Sequence, residues 1–118
     1  MYRTIVTTDE LAALVPSAAV AVVDCRFRLD DSDWGRREYG AAHVPGAIYA
    51  HLEHDLSGHR TGLNGRHPLP DPAVLAQTLS RLGIGLHTQV VAYDQDAGAY
   101  AARLWWLLRW LGHDAVAV

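Results

Sequence analysis

Residues 90–110 read VVAYDQDAGAYAARLWWLLRW. From Gln89 to Tyr93 the chain is mostly apolar and β-branched with no polar alternation, the pattern of a strand covered on both faces of a parallel sheet. After Gly98 the leucines and tryptophans fall at helical spacing as far as Gly112, a residue suited to close a helix. Strand, short loop and helix in direct succession indicate an α/β architecture. Ligands in such sheets gather beyond the carboxyl ends of the strands, so the loop 94–98 stands where a working loop would be. It offers two carboxylates, Asp94 and Asp96, and no nucleophile. Carboxylates ahead of a helix accept its free N–H groups and complement its dipole, so capping is the expected role of both. Acid–base catalysis needs a partner group that this loop does not supply.

The flanking sequence extends the pattern. AVAVVDC (19–25) is a second buried strand. Thr4–Val6 reads as a short edge strand, and Thr7-x-x-Glu10 as a capping box that starts a helix near Thr8. A short helix is expected over WGRREYG (34–40). HVPGAIYA (43–50) then gives a turn at Pro45-Gly46 and a strand. Residues 51–70 contain Gly58, Gly62, Gly65, Pro68 and Pro70 and should be irregular. Asp71 and Pro72 supply an N-cap and a first helical residue, and the helix should stop at Gly83. AVAV (115–118) begins a last strand. The order β-α-β-α-β-α-β-α-β describes one α/β domain over residues 1–118, with a mostly parallel sheet flanked by helices.

Composition narrows the function classes. Half of the residues are hydrophobic and the net charge is −3, with no basic patch, which argues against nucleic acid as a partner. All ten basic residues are arginine, so Schiff-base lysine chemistry and lysine-dependent phosphate loops are excluded. The amino-terminal segment lacks the features of a signal peptide. No apolar run approaches the ~18 residues of a membrane helix. A single cysteine, Cys25, has no partner for an internal disulfide, and a reducing, cytoplasmic setting is expected.

Cys25 leaves a strand beside Arg26 and could act as a nucleophile, but a lone cysteine in an apolar run more often packs as a small hydrophobe. His51, His54, His59 and His67 cluster in sequence without a zinc spacing, and neither a metal nor another cofactor is expected. Trp105, Trp106 and Trp110, among Leu104, Leu107, Leu108 and Leu111, make the last helix apolar almost all round. Such a helix is covered on most sides by core, by a partner, or by both.

In order along nearly the whole chain, VVDCRF, GRREYGAAHVPGAIY, HDLSG, LSRLGIG, VVAYD and AARLWWLLRWLGH resemble the rhodanese family. The likeness is greatest to the N-terminal domain of tandem-domain thiosulfate or 3-mercaptopyruvate sulfurtransferases. In that family a cysteine opens the loop after the fourth strand and carries sulfur as a persulfide, cradled by backbone N–H groups at a helix N-terminus. Such a cradle favours anions and thiolates. The matching residue here is Asp94, so the resemblance implies a domain that is inactive alone, its catalytic cysteine lying in a second domain. It also implies that His43 faces a cleft between the domains, where Asp33 or Asp31 would orient it toward a serine, with Arg26 nearby. Family members continue beyond this point with an Asp-Gly-Gly turn and a closing helix, so the chain reads as truncated, its last helix missing. The implied partners are the second rhodanese domain, or self-association in its absence, and a small sulfur donor in the full enzyme. Two other readings stand beside it. One is a free-standing interaction domain. The other is a dual-specificity-type phosphatase, which needs a loop opened by cysteine and closed by arginine; Asp94 and Tyr100 do not fit.

Overall fold

A computed structural model describes residues 1–118. Along the chain it runs α1 (Thr8–Leu14), β1 (Val20–Asp24), α2 (Trp34–Ala41), β2 (Ile48–Tyr49), α3 (Pro72–Arg81), β3 (Gln89–Tyr93), α4 (Ala101–Trp110) and β4 (Val116–Ala117). The four strands form one parallel sheet in the order β2-β1-β3-β4. The chain leaves β1 toward one edge and returns through β3 to build the other. The crevice beyond the carboxyl ends of β1 and β3 is therefore the topological switch point, where an open α/β sheet places a ligand.

Local signals set most element ends. The capping box closes α1: the Thr7 N–H donates to Glu10 Oε2 at 2.7 Å and the Glu10 N–H to Thr7 Oγ1 at 3.2 Å. Asp71 Oδ1 accepts from the Ala73 and Val74 N–H groups ahead of Pro72. Gly83 follows α3 at φ +84°, a left-handed position that suits glycine. Residues 51–70 contain no regular element.

Two expectations need correction. Thr4–Val6 is not a strand, so the sheet has four strands rather than five. The segment only brackets the end of β4, through Val6 N–H to Val118 O at 3.0 Å and Val118 N–H to Thr4 O at 2.9 Å. With β4 itself two residues long, the template is too short to extend a ladder. The last helix is also less covered than its composition suggests. Ala101, Leu104, Leu107 and Leu108 enter the core with Leu75, Leu79, Val90, Ala92 and Val116. Trp106 and Trp110, however, are 45% and 40% exposed and stack on each other with ring centroids 5.7 Å apart. The indole N–H of Trp105 donates to Arg3 O at 2.8 Å, which ties the N-terminal segment to the same helix.

Gly35 marks the closest approach of helix to sheet. A Cβ there would overlap the Arg26 carbonyl oxygen and the region of the Tyr49 hydroxyl. Gly35→Ala is expected to cost about 1–3 kcal/mol in chemical denaturation, as overpacking does. Gly40→Ala on the same helix meets nothing within 4 Å and should be neutral or slightly stabilising.

Candidate functional site

Where β3 ends, the backbone folds round a carboxylate. Asp94 Oδ1 accepts from the N–H groups of Asp96 at 2.7 Å and Gly98 at 2.9 Å, and Oδ2 from those of Tyr100 and Ala101 at 2.7 Å each. The loop bends through left-handed Ala97 (φ +54°) and Gly98 (φ +89°) to aim these donors inward. Successive N–H groups turned to one point form an anion-binding nest, and the N-terminus of α4 reinforces it. Burial raises the Asp94 pKa, but the hydrogen bonds from Ala101, Asp96, Gly98 and Tyr100 outweigh it and hold the group below the usual carboxylate range. Capping by Asp94 is thus present. Asp96, expected to share that role, contributes its N–H and no carboxylate bond. Because residues 98–100 wrap Asp94, the helix starts at Ala101 rather than at Gly98.

The other wall is built by the end of β1. The Asp24 carboxylate is fully buried and bound by Arg26 at 2.7–3.1 Å through three side-chain contacts, by the Arg26 N–H at 2.9 Å and by the Tyr93 hydroxyl at 2.9 Å. Arg26 also donates to Ala42 O at 2.7 Å, and the Val44 N–H donates to Tyr93 Oη at 3.2 Å, so the 42–46 turn is drawn into the network. Burial, and then the Asp24 charge beyond the opposing bond from Val44, push the Tyr93 pKa up to about 12. Gln95 joins the two walls: its side chain accepts from the Phe27 N–H at 3.3 Å and donates to Phe27 O at 2.6 Å. Arg103 reaches from α4 to the carbonyls of Leu56, His67 and Pro68 and holds the irregular segment against this end of the sheet. The reading from sequence missed Tyr93, Gln95 and Arg103. Only Arg103 carried a signal, as the one charge in the first seven residues of an apolar helix.

Several expected site residues have partners within the chain. Arg26 pairs with Asp24 and donates to Ala42 O. His43 donates from Nδ1 to Tyr39 O at 2.8 Å and stacks on the Tyr39 ring at 3.9 Å. Neither proposed carboxylate orients it: Asp31 pairs with Arg37, and Asp33 makes no side-chain bond at the start of α2. This bond to Tyr39 leaves Nε2 of His43 free to interact with another group. Cys25 is 2% exposed. Burial foremost, then the charges of Asp24 and Asp94, raise its pKa far above the ordinary thiol value, which disfavours the thiolate. Both ring nitrogens of buried His51 are committed. Nε2 donates to Ser32 O at 2.9 Å, and Nδ1 accepts from the Glu53 and His54 N–H groups at 3.1 and 3.2 Å. Desolvation foremost, then the neighbouring His54, lower its pKa. His51, His54, His59 and His67 do not assemble into a ligand set.

The family profile described as "Rhodanese-like domain" matches residues 7–118. The chain belongs to the rhodanese-like domain family. This rhodanese-like chain is 51% identical over 109 residues to the probable 3-mercaptopyruvate sulfurtransferase of Pseudomonas aeruginosa, covering 92% of its own length and 38% of the relative's. It is 41% identical over 107 residues to the putative thiosulfate sulfurtransferase SseB of Mycobacterium tuberculosis, with 90% and 37% covered. Its backbone superposes on the 3-mercaptopyruvate sulfurtransferase from Leishmania major with a TM-score of 0.88 at 34% identity, covering 98% of this chain and 32% of that one. The chain thus spans about two fifths of the length of the curated relatives it matches. No helix is long and apolar enough to cross a membrane.

The Asp94 cradle makes a pH-dependent contribution of fixed sign. A carboxylate whose pKa is depressed by folding stabilises the native state above its unfolded value, about 4, and that contribution is lost as pH falls through the folded value. Asp94→Asn should therefore lower stability by on the order of 1 kcal/mol at pH 7. The gap from wild type should close as pH falls below about 4. Denaturation curves of both proteins across that range measure it, and a gap independent of pH would contradict the assignment.

Proposed function

We propose that this chain is the N-terminal, catalytically silent rhodanese-like domain of a tandem sulfurtransferase. The whole enzyme transfers sulfane sulfur from thiosulfate or 3-mercaptopyruvate to a thiophilic acceptor such as cyanide. The observation that carries the reading is the Asp94 carboxylate seated in the N–H cradle beyond β3. A persulfide carrier needs a thiolate, and the cradle suits one, yet its anion position is taken by a group that cannot form an S–S bond. Cys25, the one thiol, is sealed in the core. The catalytic cysteine then belongs to a second rhodanese domain, and the share of the relatives that this chain spans supports that organisation. In the tandem protein His43 meets a group of the second domain through Nε2, a reading supported by the absence of any bond from that nitrogen within the chain. A cytoplasmic, reducing setting suits an unpaired thiol.

The chain alone should show no turnover with thiosulfate and cyanide, and Cys25 should resist an aromatic disulfide reagent until the protein unfolds. Turnover that Cys25→Ser abolishes would overturn the reading and move the chemistry to Cys25.

The exposed Trp106–Trp110 pair favours a second reading, a free-standing interaction domain. Under the tandem reading the isolated chain leaves this apolar face uncovered and should self-associate. Light scattering should then give a mass above that of one chain, reduced to a monomer by Trp106→Glu with Trp110→Glu. A monodisperse monomer with cooperative melting would favour the interaction domain. A reading frame running past Val118 into a second rhodanese motif with a loop cysteine would favour the tandem enzyme.

A further inference from the structure

The irregular segment after β2 has a feature that the sulfurtransferase reading does not use. The chain carries a net charge of −3, yet no aspartate or glutamate occurs between Leu56 and Pro70. This stretch closes round a surface cavity of about 310 Å³ walled by Glu53, His54, Ser57, Gly58, His59, Arg60 and Arg66, without one apolar side chain. Four arginines elsewhere, Arg26, Arg28, Arg37 and Arg109, each pair with an aspartate. Those of the cavity have no such partner. Arg60 makes no side-chain bond, and Arg66 donates only to a neutral carbonyl, Leu29 O. The one carboxylate in the wall, Glu53, lies 3.7 Å from His67 Nε2, which has no hydrogen-bond partner.

The cavity is held in shape before anything binds. The Gly58 N–H donates to Pro68 O at 2.8 Å, and a Cβ on Gly58 would come within 2.6 Å of Leu69 O, so the two limbs of the loop meet where only glycine fits. Asn64 spans the tip, accepting from the Thr61 N–H and donating to His59 O, both at 2.9 Å. Two uncompensated guanidinium groups on a fixed polar loop are the usual receptor for a doubly charged oxyanion, since each presents forked donors to its oxygens.

We propose that this cavity binds a small dianionic oxyanion, either free or as the phosphoryl group of a small phosphomonoester, through Arg60 and Arg66, with His54 and His59 completing the wall. The proposal does not rest on the sulfurtransferase reading and stands or falls apart from it.

Amide chemical shifts of the full chain, titrated with inorganic phosphate, sulfate and methyl phosphate at constant ionic strength set with chloride, provide the test. Saturable shifts at Ser57, Gly58, His59, Arg60 and Arg66 are expected, with a dissociation constant on the order of 1 mM. Arg60→Gln should weaken binding about tenfold, and the double variant with Arg66→Gln should abolish it. Both side chains are exposed, so the fold is kept, and an unchanged amide spectrum outside the loop verifies that. Glu53→Gln, which removes the one negative group, should tighten binding. Equal affinity for phosphate and sulfate assigns a free inorganic dianion, and a preference for methyl phosphate assigns a phosphomonoester. Shifts that do not saturate, that survive the double arginine variant, or that centre on residues 94–101 overturn the proposal. So does binding that is unchanged or weaker in Glu53→Gln.

Discussion

The buried carboxylate of Asp24 decides how this end of the sheet is built. Register places Tyr49 and Tyr93 on either side of it, in one row across β2, β1 and β3. Both phenols are spent locally, Tyr93 on Asp24 itself and Tyr49 on the Arg26 carbonyl at 2.9 Å. Removing two charges from water is costly, and a buried pair is tolerated only when the remaining lone pairs and protons are also satisfied. Here they are, because Arg26 folds back over its own strand end and then reaches the 42–46 turn. One ion pair therefore orients the last residue of β1, the last residue of β3 and the turn that leads into β2.

The switch-point crevice contains two carboxylates held by opposite means. Asp24 is neutralised by a cation and a phenol, whereas Asp94 is held by neutral backbone N–H groups and a helix terminus. Asp94 reports what the cradle is built to accept, since the same donors would serve a thiolate or a bound oxyanion equally well. A carboxylate fixed to the chain cannot diffuse away, so an external anion competes against a group already in place. The crevice in this chain thus holds its own anion in a backbone that has the form of an anion receptor.

Much of the fold was legible because it is local. The apolar runs that become β1 and β3, the Thr7 and Asp71 caps and the stop at Gly83 rest on side chains within a few residues of each other. Asp94 was legible for the same reason, since its four donors lie within the next seven residues. What was not legible was tertiary. Arg26 could not be known to be consumed by Asp24 and Ala42. His43 and the 31–33 carboxylates lie near each other in sequence, but Tyr39 and Arg37 claim them instead. Gln95 is an unremarkable polar residue until the fold sets it against Phe27. The Thr4–Val6 segment has strand composition, but strand formation depends on a neighbour long enough to pair with, and β4 is not.

The two ends of the chain meet. Tyr2 is bridged by the Gln89 amide, Arg3 accepts from Trp105 at a separation of 102 residues, and Thr4 and Val6 bracket Val118 across still longer ones. Residues 2–6 thus find these partners only after residues 89, 105 and 118 have been made. β1 likewise waits for β3, some seventy residues later, before its central ladder can form. Contacts of such long range slow folding, because loop-closure entropy is lost before the contacts form. During synthesis the edge of β1 that pairs with β3 therefore stays open until β3 is made, exposing the nascent chain to chaperones and to misassociation.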